Sequence, residues 1–189
     1  MMIRLEVWQT LLQKIASCNE CSLSLNRTNP VPGEGSLEPE LMLVGEGPGA
    51  NEDLQGRPFV GEAGKLLDKL LSIINLTHRE VFIGNTVKCR PPNNRAPTAQ
   101  ELECCKPYLI AQIAWLQPKI ICVLGNSALS SLIGPQFSIS KARGQVLLID
   151  GMHYMPTYHP AAALYRREIL NVLENDFKIL QKWLKEKKI

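Results

Sequence analysis

Apolar residues recur along the chain with two different periods. Leu5, Trp8, Leu11, Leu12 and Ile15 fall at helical spacing, broken by charges, and predict an N-terminal helix ending near Ser17. Leu66, Leu67, Leu70, Leu71 and Ile74 share one helical face over 62–74. Thr98-Ala-Gln-Glu101 has the form of a capping box and opens a helix running to Leu116. A short helix is expected after Gly125-Asn126-Ser127, and a long amphipathic one over 168–187. Between these lie short apolar runs at 41–44, 81–87 and 120–124, which predict buried strands. Residues 145–149 and 153–158 flank Asp150-Gly151 and predict a hairpin. The polar, Pro- and Gly-containing segments 23–40 and 88–97 read as loops. Strands alternating with helices predict an α/β fold, a parallel sheet covered by helices on both faces. No repeat or low-complexity tract divides the chain, so one domain over 1–189 is expected.

Composition adds little to this picture: 45% hydrophobic and 21% charged residues are ordinary for a globular protein. No apolar run approaches the length of a membrane span, and the N-terminus lacks the form of a signal peptide. A cytoplasmic protein is expected. The net charge of +3 permits a nucleic-acid partner without demanding one. The basic residues are unevenly spread: KILQKWLKEKK lies near the C-terminus, and Lys141, Arg143, Arg166 and Arg167 lie near glycines or His159-Pro160.

The stretch LMLVGEGPGANEDLQGRPFVGEAG, 41–64, carries the first candidate chemistry. A short buried strand that stops at a Gly/Pro cluster is where an open α/β sheet places its ligand. Its glycines allow backbone N–H groups to approach that ligand. Phe59 sits in the following loop with no periodic pattern to bury it, which suits a small planar ligand; ordinary loop packing is the plainer alternative.

Six cysteines occur. Cys18 and Cys21 form a CxxC pair, Cys89 follows the second strand, and Cys104 and Cys105 lie in the next helix. In a reducing compartment these are metal ligands or core residues rather than disulfides. Four thiolates can hold zinc or an iron–sulfur cluster, and spacing does not choose between them. Cys122, inside a core strand, reads as a small buried hydrophobe.

Taken together, GEGPGANED, GRPFVGEAG, NTVKCRPPNNR and HPAAAL, in this order and with this cysteine pattern, closely resemble the family-4 uracil-DNA glycosylases, from Cys18 to the last helix. The resemblance implies a three-layer α/β/α sandwich around a four-stranded parallel sheet. It implies a 4Fe-4S cluster of structural role, held by Cys18, Cys21, Cys89 and Cys105, which ties in the N-terminal helix. The implied activity is monofunctional: uracil is flipped from single- or double-stranded DNA and its N-glycosidic bond hydrolysed, leaving an abasic site. A monomer is expected, with a sliding clamp as a further partner by family analogy.

The family match also assigns roles. Phe59 stacks on the flipped base. The Asn85 amide donates to uracil O4 and accepts from N3–H, a pattern cytosine reverses. His159 donates to uracil O2 as charge grows there, for which a neutral imidazole suffices. Glu46, Gly47 and Pro48 line the pocket, with Glu46 and the backbone at Gly47 as candidates to hold the attacking water. Glu52 is expected near uracil C5, where it excludes the methyl of thymine; a helix N-terminal charge is its plainer reading. Leu164 is the candidate wedge, although many relatives have two successive leucines where this chain has Ala163-Leu164. Arg166, Arg167, Lys141 and Arg143 are candidate phosphate contacts.

Three rival readings compete. A related branch traps DNA through a histidine in a loop after the second strand, but KCRPPNNRAPT contains none. A metal-stapled binding module would not need Asn85 and His159 at one pocket. A phosphate-binding use of GEGPG lacks a following lysine of the Walker type and has Glu46 to repel the phosphate.

Overall fold

A computed structural model describes residues 2–187, so Met1 and the Lys188 of the basic C-terminal segment lie outside the described residues. The continuous apolar runs form the centre of a sheet. β2 (Leu41–Gly45), β3 (Phe82–Asn85), β4 (Ile120–Leu124) and β6 (Met152–Thr157) lie parallel in the order β3-β2-β4-β6. One antiparallel strand extends each edge: β1 (Glu34–Gly35) beside β3, and β5 (Leu147–Ile149) beside β6. The expected four-stranded parallel set is thus the centre of a six-stranded sheet.

Strands buried on both faces must supply two cores, and successive side chains divide accordingly. Leu41, Leu43, Ile83, Cys122 and Met155 face one core, closed by α3 (Glu62–Ile73) and α8 (Glu168–Glu186). Met42, Val44, Phe82, Ile121 and Val123 face the other, closed by α1 (Met2–Ala16), α4 (Ala99–Leu116) and α5 (Asn126–Ile133). The layers are therefore α/β/α. Cys122 is fully buried, as its place in an apolar strand predicts. Helix α1 is docked by Trp8, which meets Phe82 edge-on at 5.7 Å and Trp115 at 4.7 Å.

Element ends differ from expectation in physically simple ways. The second strand pairs only over Phe82–Asn85, because Thr86 and Val87 turn to bond the end of β2: Thr86 N–H donates to Gly45 O and Val87 N–H to Glu46 O. The loop read over 23–40 contains β1 and the end of a 3-10 turn, Ser22–Leu25. Part of the glycine-rich stretch folds into a short helix, α2 (Ala50–Gln55), started by the Glu52 carboxylate accepting from the Gly49 N–H. Two further short helices, α6 (Ile139–Ala142) and α7 (Pro160–Tyr165), flank the hairpin. The capping box at Thr98 forms as predicted, with Thr98 N–H donating to Glu101 at 2.7 Å.

Candidate active site

The chain passes from β2 outward to β3 and then back across β2 to β4, which opens a crevice at the carboxyl ends of the parallel strands. A cleft of about 680 Å³ occupies that place. Each central strand contributes to it: β2 through Glu46, Gly47 and Pro48, β3 through Asn85, β4 through Gly125, Asn126 and Ser127, and β6 through His159. Phe59 and Glu52 complete the wall. Residues separated by over a hundred positions in sequence therefore meet at one surface.

Phe59 is held in an uncommon backbone conformation, φ +50°, which strains a bulky side chain. Two features hold it there. The Glu52 carboxylate accepts the N–H groups of Val60 and Gly61, both at 2.9 Å, and that of Gly49 at 3.1 Å, clamping the Phe59 loop to the start of α2. Gly64 lets α3 press against this loop, since a Cβ there would lie 1.7 Å from the Phe59 carbonyl oxygen. The Phe59 ring ends near-parallel to His159, centroids 5.5 Å apart and planes 24° apart.

Asn85 is 2% exposed, and its Oδ1 has no hydrogen-bond partner among the described residues. An unpaired buried acceptor is costly, and at the cleft wall this one stands available to a bound molecule. Gly45 makes room for it: a Cβ there would stand 2.6 Å from Asn85 Oδ1 and 3.0 Å from the Phe59 ring.

His159 caps α7, its Nδ1 accepting the Ala161 N–H at 3.2 Å. The proton of the neutral ring then sits on Nε2. Burial pushes the pKa of this imidazole down to about 4, and the Glu52 charge opposes that shift. At neutral pH, His159 is an uncharged donor beside Phe59.

Sequence reasoning missed Asn94 and Arg95 as cleft residues. They close the NTVKCRPPNNR motif in the proline-rich loop, where their residue types alone point to no contact with a ligand. Arg95 grips Glu101 in a two-bond ion pair, 2.8 and 2.7 Å, and holds its carboxyl down to about 2.

The expected DNA-contact residues divide. Leu164 is 47% exposed on α7, next to the still more exposed Tyr165. Lys141 is exposed on α6, and Arg166 pairs with Glu168 at the surface. Arg143 is placed differently. Its guanidinium bonds both carboxylate oxygens of Asp176, which is fully buried and also accepts from Thr157 Oγ1 at 2.6 Å. Removing Arg143 would leave a buried charge unpaired, so this arginine is a strut between the hairpin and α8.

Cys18, Cys21, Cys89, Cys104 and Cys105 line one small cavity between α1, β3 and α4. No three His, Cys, Asp or Glu side chains among the described residues converge to hold a single metal ion. Two cations meet the sulfurs: Arg27 Nη1 donates to Cys89 Sγ at 3.1 Å, and Lys88 lies beside Cys105, whose Sγ accepts the Lys88 backbone N–H at 3.2 Å. Burial pushes the thiols of Cys21 and Cys89 up and that of Cys105 up to about 11. Burial also lowers the fully buried Lys88 ammonium to about 8.

The family model of the uracil DNA glycosylase superfamily matches residues 32–185. A type-4 uracil-DNA glycosylase of Sulfurisphaera tokodaii is 48% identical over 179 residues, 90% of this chain and 81% of the relative. That of Saccharolobus solfataricus is 45% identical over 95% of this chain and 87% of its own length. That of Thermotoga maritima is 42% identical over 98% of this chain and 99% of its own length. A cleft with a buried amide acceptor and a neutral imidazole, together with likeness spanning nearly every residue, leads to one conclusion: the chain belongs to the uracil-DNA glycosylase superfamily, in its type-4 branch.

Proposed function

We propose that the protein excises uracil from DNA, hydrolysing the N-glycosidic bond of a flipped nucleotide and leaving an abasic site. The observation that carries this reading is the unpartnered Asn85 Oδ1, buried at the cleft wall beside the Phe59–His159 ring pair. An acceptor so placed matches the N3–H of uracil, while the amide nitrogen donates to O4. Cytosine reverses both groups and would leave two buried polar groups unpaired.

Flipping costs a few kcal/mol, and stacking on the Phe59 ring returns roughly 1–3 kcal/mol. Leu164 fills the vacated stack, while Lys141 and Arg166 meet phosphates. As the glycosidic bond breaks, negative charge collects on the base, and His159 Nε2–H donates to O2, the one oxygen Asn85 leaves open. A donor held in place by the Ala161 N–H needs no reorganisation when that charge appears. Glu46 and the backbone at Gly47 orient the water that captures the electrophilic sugar. Glu52 positions Phe59 through its three backbone bonds and borders the base edge where thymine carries its methyl group.

Cys18, Cys21, Cys89 and Cys105 would hold a 4Fe-4S cluster. The donor set supports this: several thiols line one cavity, and Arg27 and Lys88 offset the negative charge of a thiolate-ligated group. Bound there, the cluster supplies cross-linking between the segment after α1, the end of β3 and α4. The protein acts as a monomer.

The test is uracil release from an oligonucleotide with one labelled uracil, scored by alkaline strand scission, with thymine and cytosine controls. Scission at uracil alone is the expected result. No scission by cluster-bearing protein would overturn the enzymatic reading and leave a nucleic-acid-binding module.

A further inference from the structure

Lys88 is 1% exposed and among the largest fully buried side chains of the protein. A buried ammonium is expensive unless its charge is met. No carboxylate pairs with it among the described residues; the sulfurs of Cys105 and Cys89 lie beside it, and they become its opposite charges when they are held as thiolates. Its Nζ donates to the backbone carbonyl of Asn85 at 2.8 Å, and its backbone N–H donates to Cys105 Sγ at 3.2 Å. The same residue therefore lines the cysteine cavity and holds the main chain of the residue whose amide faces the cleft. Only Thr86 and Val87 separate the two in sequence, and both are buried.

We propose that Lys88 is the counter-cation of the thiolate-held cluster and the positioning residue of Asn85, so that cluster occupancy is coupled to uracil recognition. This rests on the uracil-excising reading given above. Four thiolates on a cluster bring net negative charge into the cavity, and Lys88 is the buried cation in contact with both that cavity and β3. With the charge met, Nζ stays directed at the Asn85 carbonyl and the amide keeps its place against Gly45. With the cluster lost, the ammonium is stranded and the strand end that carries Asn85 loosens. Arg27 provides the internal contrast. It also touches a cysteine sulfur, yet its other bond goes to the Ala16 carbonyl at the end of α1, away from the cleft.

Lys88→Met and Arg27→Met proteins, purified with their clusters, would be compared with the wild type. Iron and acid-labile sulfide per chain, the cluster reduction potential and the Kd for free uracil would be measured. Removing either cation is expected to shift the potential to more negative values, since positive charge beside a cluster favours its reduced form. Lys88→Met is expected to weaken uracil binding about tenfold, and Arg27→Met less than twofold. A Lys88→Met protein with full cluster content and wild-type uracil affinity overturns the coupling. So does equal weakening by both variants. If Lys88→Met does not fold, the wild-type holoprotein answers instead: the Lys88 Nζ resonance in 15N-lysine-labelled protein must move as uracil saturates, and an unmoved resonance overturns the proposal. Wild type that neither binds nor releases uracil fails at the earlier step and takes both readings with it.

Discussion

The backbone N–H of Ala161 donates to Nδ1 of His159 at 3.2 Å, and this bond decides which imidazole nitrogen faces the cleft as a donor. A neutral ring that accepts on Nδ1 must carry its proton on Nε2. His159→Ala removes that donor while leaving Asn85 and Phe59 in place. Uracil release should fall by about 10²–10³ in kcat, the range for losing one preorganised donor to a developing anion. Free-uracil affinity should change far less, and single-turnover kinetics beside a binding titration separate the two.

His159 also makes stability depend on pH. Its folded pKa, about 4, lies below the ordinary 6.5, so the unfolded chain takes up a proton first on acidification. Stability is therefore fully retained above pH 6.5, falls as pH drops toward 4, and levels off below that. The loss from this residue is on the order of 3 kcal/mol. Urea denaturation at a series of pH values should show the slope in wild type and lose it in His159→Gln.

Glu101 acts in a lower window. Its folded pKa, about 2, lies below the ordinary 4.5 because Arg95 and the N-terminus of α4 bond its carboxylate. This contribution is present above pH 4.5 and is lost as pH falls toward 2. Glu101→Gln should cost about 2 kcal/mol at pH 7 and almost nothing near pH 2. The same denaturation series measures it.

Gly45 offers a steric test of base reading. Gly45→Ala places a methyl 2.6 Å from Asn85 Oδ1 and 3.0 Å from the Phe59 ring. The amide and ring must separate, and kcat/KM for uracil should fall by roughly 10²-fold. Asn85→Asp leaves the packing nearly intact but replaces the donor with an acceptor. It should lose uracil excision to a similar degree and gain measurable release of cytosine, scored on the cytosine oligonucleotide.

Glu52 holds three backbone N–H groups, and Glu52→Gln puts an amide donor where one of those N–H groups points. The expected cost is about 1–3 kcal/mol, or a fall in Tm of roughly 3–10 °C. Uracil excision should fall at least about tenfold because Phe59 is no longer held in its strained conformation. Calorimetry and the scission assay on one preparation check both.

Local sequence determined the elements whose cause is local. Leu41–Val44 and Ile120–Leu124 are apolar throughout because both faces of their strands are covered, and that burial is written into adjacent residues. The capping box at Thr98 needs only residues three apart. The two-residue strand β1 was not legible in this way, and of the helix α2 only the reading of Glu52 as a helix N-terminal charge was. Glu34–Gly35 is a strand because β3 offers an unpaired edge, and Ala50–Gln55 is helical within a loop-like composition because Glu52 caps it.

For the site, sequence supplied residue types and motif order, which suffice for Phe59, Asn85, His159 and the cysteines as candidates. Tertiary structure decided how they are used. Only the switch in strand order brings the ends of β2, β3, β4 and β6 to one cleft. Only packing gives Gly45 its role, since the atoms that a Cβ there would meet, Asn85 Oδ1 and the Phe59 ring, belong to distant parts of the chain. In sequence Arg143 is a candidate phosphate contact, and only α8 brings buried Asp176 against it; Lys88 lies in a segment that reads as loop, and only the fold encloses it between the cysteine cavity and Asn85. A side chain's charge is local information, whereas the dielectric and the partners that set what the charge does belong to the assembled fold.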